Sequence, residues 1–206
     1  MSEVTRIFLV RHGDVEEKYH EVFGGRLEMR LSEKGKAQAE ALGDFFRGKR
    51  IDAFYCSPMI RTRETFAPIG RACGVEEPVI EEGFREVDFG DWTGKTWREV
   101  EKEYQMEAHV WLEWLTEGLI PNAEPIADYE ARISSALYQM IEREKGRKVL
   151  VVCHGGVIRM MLSLMLNLPM REMGAFEIEY GSVSVIDFRN PGTKARLISH
   201  APWREL

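Results

Sequence analysis

The sequence predicts an α/β fold, a three-layer α/β/α sandwich around a largely parallel central sheet. Two observations lead there. Short apolar runs rich in β-branched residues alternate with longer segments of helical period, and three of those runs stop abruptly at polar signatures.

The first run, residues 6–10, ends at Arg11-His12-Gly13 and reads as a buried strand feeding a loop. Residues 14–30 have no clear period. Ser32 then precedes Ala37, Ala41, Leu42 and Phe45 at helical spacing, which predicts an N-capped amphipathic helix to about Phe46. A second strand covers residues 53–56. Ser57-Pro58 reads as the cap and first turn of a helix running through Arg61 and Thr65 to about Ala72. Residues 78–80 make a brief third strand, residues 92–94 a turn, and residues 97–117 one helix carrying Val100, Tyr104, Trp111 and Leu115. Another helix spans residues 126–144. The clearest strand, residues 148–153, stops at His154-Gly155-Gly156 before an apolar helix over residues 157–166. Two last strands, residues 182–188 and 194–198, flank the turn Asn190-Pro191-Gly192.

The chain has 206 residues and no proline-rich or serine-rich linker, so the expectation is one domain over residues 1–206. A formal net charge of −6 argues against nucleic acid or an anionic membrane as partner. Cys56, Cys73 and Cys153 are too few for a disulfide framework, and no cleavable leader is legible at the N-terminus. A cytoplasmic protein is expected. The apolar stretches are too short to cross a bilayer. The oligomeric state stays open, a homodimer included.

Ligands of open α/β sheets bind beyond the carboxyl ends of the strands. Here those ends carry His12 beside Arg11, Ser57 near Arg61, and His154 before two glycines. Arginine matches a tetrahedral oxyanion with its planar fork of donors, and glycines opening a helix bring backbone N–H groups to the same anion. A small phosphorylated substrate is the simplest ligand. Because the histidines sit beside arginines instead of carboxylates or cysteines, no metal and no cofactor is expected. His12 then serves as nucleophile. An alkoxide leaving group needs a proton, and Glu86, standing before the stretch Val87-Asp88-Phe89-Gly90-Asp91-Trp92, is the preferred general acid, with Glu82 as its rival.

Four segments, Leu9-Val10-Arg11-His12-Gly13, the run from Cys56 to Thr65, the run from Phe84 to Gly94 and the run from Val152 to Arg159, together resemble the ordered motifs of the histidine phosphatase superfamily, also called phosphoglycerate mutase-like. The resemblance extends from about residue 5 to residue 188. It implies a phosphoglycerate mutase-like fold and transient phosphorylation of His12. It implies further that Arg11, Arg61 and His154 bind phosphoryl oxygens, with Gly13 and Gly155 beside them, and that Glu86 acts as acid and then as base for water. Lys18 stands where many members have an asparagine touching the phosphate, and Glu28 where an aspartate is common. By that alignment both belong at the phosphate. Asn122-Ala123-Glu124-Pro125 replaces a Gly-Gly-Glu-Ser pattern and carries Glu124 toward the substrate lid. Mutases of the family carry a longer insertion after the Trp-x-Gly motif than residues 94–124 provide, which favours hydrolysis over phosphoryl return; a phosphoglycerate-type mutase is the alternative. The loop over residues 23–32 is similar to that of the α-ribazole phosphate phosphatase branch. An alternative of another class is a phosphate- or phosphoprotein-binding module without turnover, against which the acid Glu86 speaks.

Other readings compete for particular residues. Cys153 and Arg159 satisfy the Cys-x5-Arg spacing of cysteine-dependent phosphatases, with Cys153 as nucleophile and Arg159 gripping phosphate. That reading leaves Arg11-His12-Gly13 without a purpose, and Cys153 as a buried strand residue is preferred; Cys56 and Cys73 read as structural. Trp97, Tyr104, Trp111, Trp114 and Leu115 read as core, with an apolar lid over the site as the sharper option. His20, His109 and His200 carry no assigned chemistry, although His20 lies in the loop after the first strand.

Overall fold

A computed structural model of the chain describes residues 3–107 and 110–204. Its strands are β1 (Thr5–Arg11), β2 (Ala53–Cys56), β3 (Val79–Ile80), β4 (Lys148–Cys153), β5 (Val183–Phe188) and β6 (Lys194–His200). Its helices are α1 (Glu33–Phe46), α2 (Ile60–Cys73), α3 (Trp97–Tyr104), α4 (Trp111–Thr116), α5 (Ile126–Arg143) and α6 (Gly155–Leu166). The six strands form one sheet in the order β3-β2-β4-β1-β5-β6. β3, β2, β4 and β1 run parallel, while β5 pairs antiparallel with β1 and β6 antiparallel with β5.

Side chains alternate across a strand, and the alternation sorts the core into two layers. Ile7 and Leu9 of β1 and Val149, Val151 and Cys153 of β4 join the residues of α5 and α6. Val10, Leu150 and Val152 pack instead with Leu42 and Phe46 of α1 and Phe66 and Ile69 of α2. This is the expected sandwich. Register then fixes the site. Arg11 lies opposite Cys153 and Cys56 opposite Val152, so β1, β4 and β2 end nearly flush and the residues that follow share one rim of the sheet.

α1 starts where its sequence signal lies, with the Ser32 side chain accepting from Gly35 N. Three expectations are corrected. The helix read over residues 97–117 is two: Gln105 turns left-handed (φ 56°) and ends α3, whose start is a capping box between Thr96 and Glu99. α2 begins at Ile60, with Met59 as a cap residue whose side chain makes no capping bond. Ser57 is drawn away to His154 (Oγ to Nε2, 2.7 Å), and Glu28 supplies the missing acceptor at Ile60 N (2.9 Å). α6 begins two residues earlier than its apolar run, so Gly155 and Gly156 form its first turn. No helix among the described residues is long and apolar enough to cross a membrane. His109 lies outside the described residues.

Candidate active site

Beyond the rim formed by β1, β2 and β4 lies a cavity of about 360 Å³, lined at its base by Arg11, His12, Arg61, Glu86, Gly155 and Tyr180. Five of the residues singled out in the sequence therefore face one space. Gly13 and His154 support it from beneath, and Lys18 and Glu28 are not among its lining residues.

His12 is buried, and its Nδ1 lies 2.8 Å from Gly13 O. A carbonyl only accepts, so Nδ1 carries the proton and Nε2 keeps its lone pair. Burial, then the charges of Arg61 and Arg11, hold the pKa of His12 well below the ordinary histidine value, which keeps that lone pair free at neutral pH. The backbone around it is fixed as well. His12 N donates to Cys153 O (3.1 Å), Gly181 N donates to His12 O (3.0 Å), and Gly13 N donates to Thr65 Oγ1 (3.0 Å). Gly13 thus holds the histidine and spends its N–H on Thr65. A Cβ there would lie 2.5 Å from Gly35 O, so glycine is what lets β1 run on against α1.

Arg61, on the first turn of α2, is almost fully buried. Its Nη1 donates to Leu27 O and its Nη2 to Gly25 O, both at 2.8 Å, and its Nε lies 3.3 Å from His154 Nδ1. Burial lowers its pKa to about 10, which leaves it cationic at neutral pH. Since a guanidinium only donates, His154 Nδ1 accepts and its Nε2–H donates to Ser57 Oγ. His154 is therefore neutral, with its pKa pushed well down by burial and then by Arg61. Its nitrogens orient Arg61 and Ser57, and its ring stands edge-on to that of His12 with centroids 5.3 Å apart.

Arg11 donates through Nη1 to Ile178 O (2.5 Å), and its Cζ lies 3.7 Å from the centroid of the Tyr180 ring. Its Nε is buried and has no hydrogen-bond partner in the protein, while the guanidinium lines the cavity. A Cβ on Gly155 would lie 3.3 Å from Arg11 Nε, tighter than ordinary contact, so the glycine leaves the guanidinium its room.

Glu86 is half-buried across the cavity. Its Oε1 accepts from Val87 N (3.0 Å) and Tyr129 OH (3.1 Å), and its Oε2 from Gly156 N (3.3 Å). Arg132 braces the loop behind it, donating to the carbonyls of Gly83, Arg85 and Glu86. Glu124 in turn grips Arg132 with both oxygens (2.6 and 2.9 Å) and also pairs with Arg26. Glu124 is a strut of the acid loop. Its rival Glu82 sits outside the cavity, paired with Arg85, with a side chain 70% exposed.

The remaining expectations divide. Lys18 is 62% exposed and pairs with Glu16 (3.3 Å), so the structure does not bring it to the phosphate end. Glu28 is occupied as the cap of α2, a position that suits a carboxylate and not a phosphate ligand. Cys153 points into the core, and burial raises its pKa well above the ordinary thiol value; an inert thiol there does not support the cysteine reading. Trp97 and Trp111, expected as core, line the outer part of the cavity with Phe23 and Phe89. His20 Nε2 contacts Asp14 Oδ1 and Val15 O, both at 3.0 Å; it sits beside the lining residues Val15, Tyr19 and Glu21 without being one of them. Among the described residues, no group of three His, Cys, Asp or Glu side chains is arranged to hold a metal.

Sequence reasoning missed Tyr129, Thr65 as a ligand of Gly13, and Tyr180. Tyr129 falls on the apolar period of α5 and reads as core, and Tyr180 stands in a stretch with no period at all. Arg159 was weighed only as a partner of Cys153, yet it lines the cavity.

The model of the histidine phosphatase superfamily (branch 1) matches residues 7–200. An adenosylcobalamin/alpha-ribazole phosphatase of Salmonella typhimurium is 28% identical over 203 residues, covering 97% of this chain and 98% of that one. Phosphoserine phosphatase 1 of Hydrogenobacter thermophilus is 28% identical over 200 residues, with 96% and 94% covered. The crystal structure of the alpha-ribazole phosphatase from Shigella flexneri shares the fold, with a TM-score of 0.84 at 21% identity, covering 95% and 96% of the two chains.

Proposed function

The chain belongs to the histidine phosphatase superfamily, and we propose that this phosphatase hydrolyses small phosphomonoesters without a metal, through a phosphohistidine on His12. The observation that carries the reading is the tautomer of His12. Its Nδ1–H is committed to Gly13 O, so the unprotonated Nε2 is left in a cavity whose base also presents Arg11 and Arg61.

In the first half-reaction His12 Nε2 forms a bond to phosphorus as the bond to the ester oxygen breaks. Glu86, in its acid form, gives its proton to the departing oxygen. Arg11 and Arg61 face the equatorial oxygens, where charge concentrates in the transition state, and they are already in place before substrate arrives. The imidazolium character that develops on His12 is relieved through the bond from Nδ1–H to Gly13 O. In the second half Glu86, now a carboxylate, takes a proton from water, whose oxygen attacks phosphorus. The N–P bond breaks, inorganic phosphate leaves, and both groups return to their starting forms.

Hydrolysis over mutase chemistry is supported by the short cover of the site. Among the described residues, the cover between the Trp92 region and Glu124 consists of the short helices α3 and α4 and the turns that join them, and Trp97 at the mouth is 42% exposed. The relatives named phosphoserine phosphatase and alpha-ribazole phosphatase point the same way. Turnover of p-nitrophenyl phosphate in 18O-labelled water tests the reading. One 18O in each released phosphate is expected. Vanadate binding without release of phosphate would leave a binding module instead, and phosphoryl return to an added alcohol in preference to water would favour the mutase.

A further inference from the structure

Tyr180 lines the base of the cavity, yet the steps above leave it unused. Its ring lies against two groups that do act. Arg11 Cζ is 3.7 Å from the ring centroid, and the His12 ring centroid is 5.4 Å from it with the planes at 51°. At 3.7 Å the guanidinium carbon stands over the ring face, because an approach in the ring plane would meet the ring's own atoms first. That face is the negative end of the ring quadrupole and attracts a cation.

Arg11 needs such a hold more than Arg61 does. The Arg61 guanidinium is fixed by Leu27 O, Gly25 O and His154 Nδ1. Among the described residues, Arg11 has one carbonyl partner, Ile178 O at 2.5 Å, and its Nε has no partner in the protein. One hydrogen bond leaves a long side chain free to swing about that contact, and Gly155 beside it has no side chain to stop the swing. The aromatic face is the second hold.

The ring is itself well anchored. Tyr180 O accepts from Trp203 Nε1 (3.0 Å), Gly181 N donates to His12 O (3.0 Å), and Arg11 N donates to Ser182 O (3.1 Å). Tyr180 is therefore tied to the turn around Trp203 on one side and to the end of β1, where Arg11 and His12 lie, on the other.

We propose that Tyr180 is a positioning residue whose ring face holds the Arg11 guanidinium at the base of the cavity, and so sets the grip on the transferred phosphoryl group. The inference rests on the phosphatase reading of the cavity. The face does the holding and the hydroxyl does not. For a half-buried ring such a contact is worth about 5- to 30-fold, the upper figure applying where water is excluded.

The test is a double-mutant cycle read in kcat/KM for p-nitrophenyl phosphate, with inhibition by orthovanadate measured beside it. Tyr180→Leu is expected to lose about 5- to 30-fold and to bind vanadate more weakly by a similar factor, whereas Tyr180→Phe stays within about twofold of wild type. In an Arg11→Met background the same Tyr180→Leu change should cost less than about twofold, because the group it acts through is gone. An equal loss in both backgrounds means that the ring acts through His12 or through the fold at large, and overturns the assignment. A Tyr180→Phe variant as impaired as Tyr180→Leu hands the task to the hydroxyl and overturns it too, as does an unimpaired Tyr180→Leu. Each of these results leaves the phosphatase reading standing. A wild-type chain that turns over no phosphomonoester would bring down that reading, and the assignment with it.

Discussion

Replacing Gly156 by alanine isolates the proton donor from the rest of the site. A Cβ at this position would lie 2.7 Å from Glu86 Oε1 and 2.9 Å from Tyr129 OH, where ordinary contact begins near 3.4 Å. The carboxylate must therefore move by about 0.7 Å or more, and Val87 N, Tyr129 OH and Gly156 N resist because all three hold it in place. Displacement of a catalytic group by roughly 1 Å costs on the order of 10²-fold. The loss should depend on the leaving group, since an aryl oxide departs without much help while an alkoxide needs the proton. Expected is a drop of about 10²-fold in kcat/KM for phosphoethanolamine and of less than about tenfold for p-nitrophenyl phosphate. Stability falls modestly, because crowding at Glu86 and the buried Tyr129 hydroxyl costs about 1–3 kcal/mol against roughly 1 kcal/mol by which alanine in a helix is favoured over glycine. The assay is steady-state kinetics on both esters beside a thermal melt. Equal losses on the two esters would refute the role given to Glu86, and so would an unchanged rate on the alkyl ester.

Two further predictions concern stability. His12 and His154 are held below the unfolded histidine value, near 6.5, by burial and then by Arg61, so below that pH the unfolded chain binds protons that the folded chain refuses. Their contribution is complete above about pH 6.5 and is lost as pH falls toward the folded values, by about 1.4 kcal/mol per pH unit for each histidine. In urea unfolding between pH 7.5 and 5.5, His12→Asn should lose about 1.4 kcal/mol less stability than wild type, all of it below about pH 6.5; equal losses contradict the burial of a neutral His12. Glu28→Ala removes the acceptor at Ile60 N and should cost about 1 kcal/mol, or a fall of roughly 2–4 °C in Tm, with KM for p-nitrophenyl phosphate within about twofold. A large rise in KM would return Glu28 to the phosphate.

The fold was legible because its signals are periodic. Alternating runs predicted all six strands, and the cap at Ser32 placed α1 to the residue. Gln105 escaped notice because nothing local marks a glutamine for a left-handed turn. The start of α2 was misplaced because Ser57 looks like a cap and is claimed by His154 from 97 positions away. The same contrast runs through the site. Arg11, His12 and Gly155 end or follow strands, so position marked them; Arg61 was marked only by its company, and Glu86 was separated from Glu82 by the aromatic stretch that follows it. Tyr129, Arg132 and Glu124 act through contacts across the fold that no local pattern encodes. Lys18 and Glu28 were carried in by alignment with a family motif, and their actual partners, Glu16 and Ile60 N, lie along the loop and at the helix start.

The most direct test of the account is to trap the covalent intermediate. Rapid mixing with a 32P-labelled phosphomonoester and quenching in alkali preserves a phosphoramidate, which acid then releases. Label is expected on the peptide containing His12, lost in His12→Ala together with turnover and retained in Cys153→Ser. Label on Cys153, or undiminished turnover by His12→Ala, would contradict it.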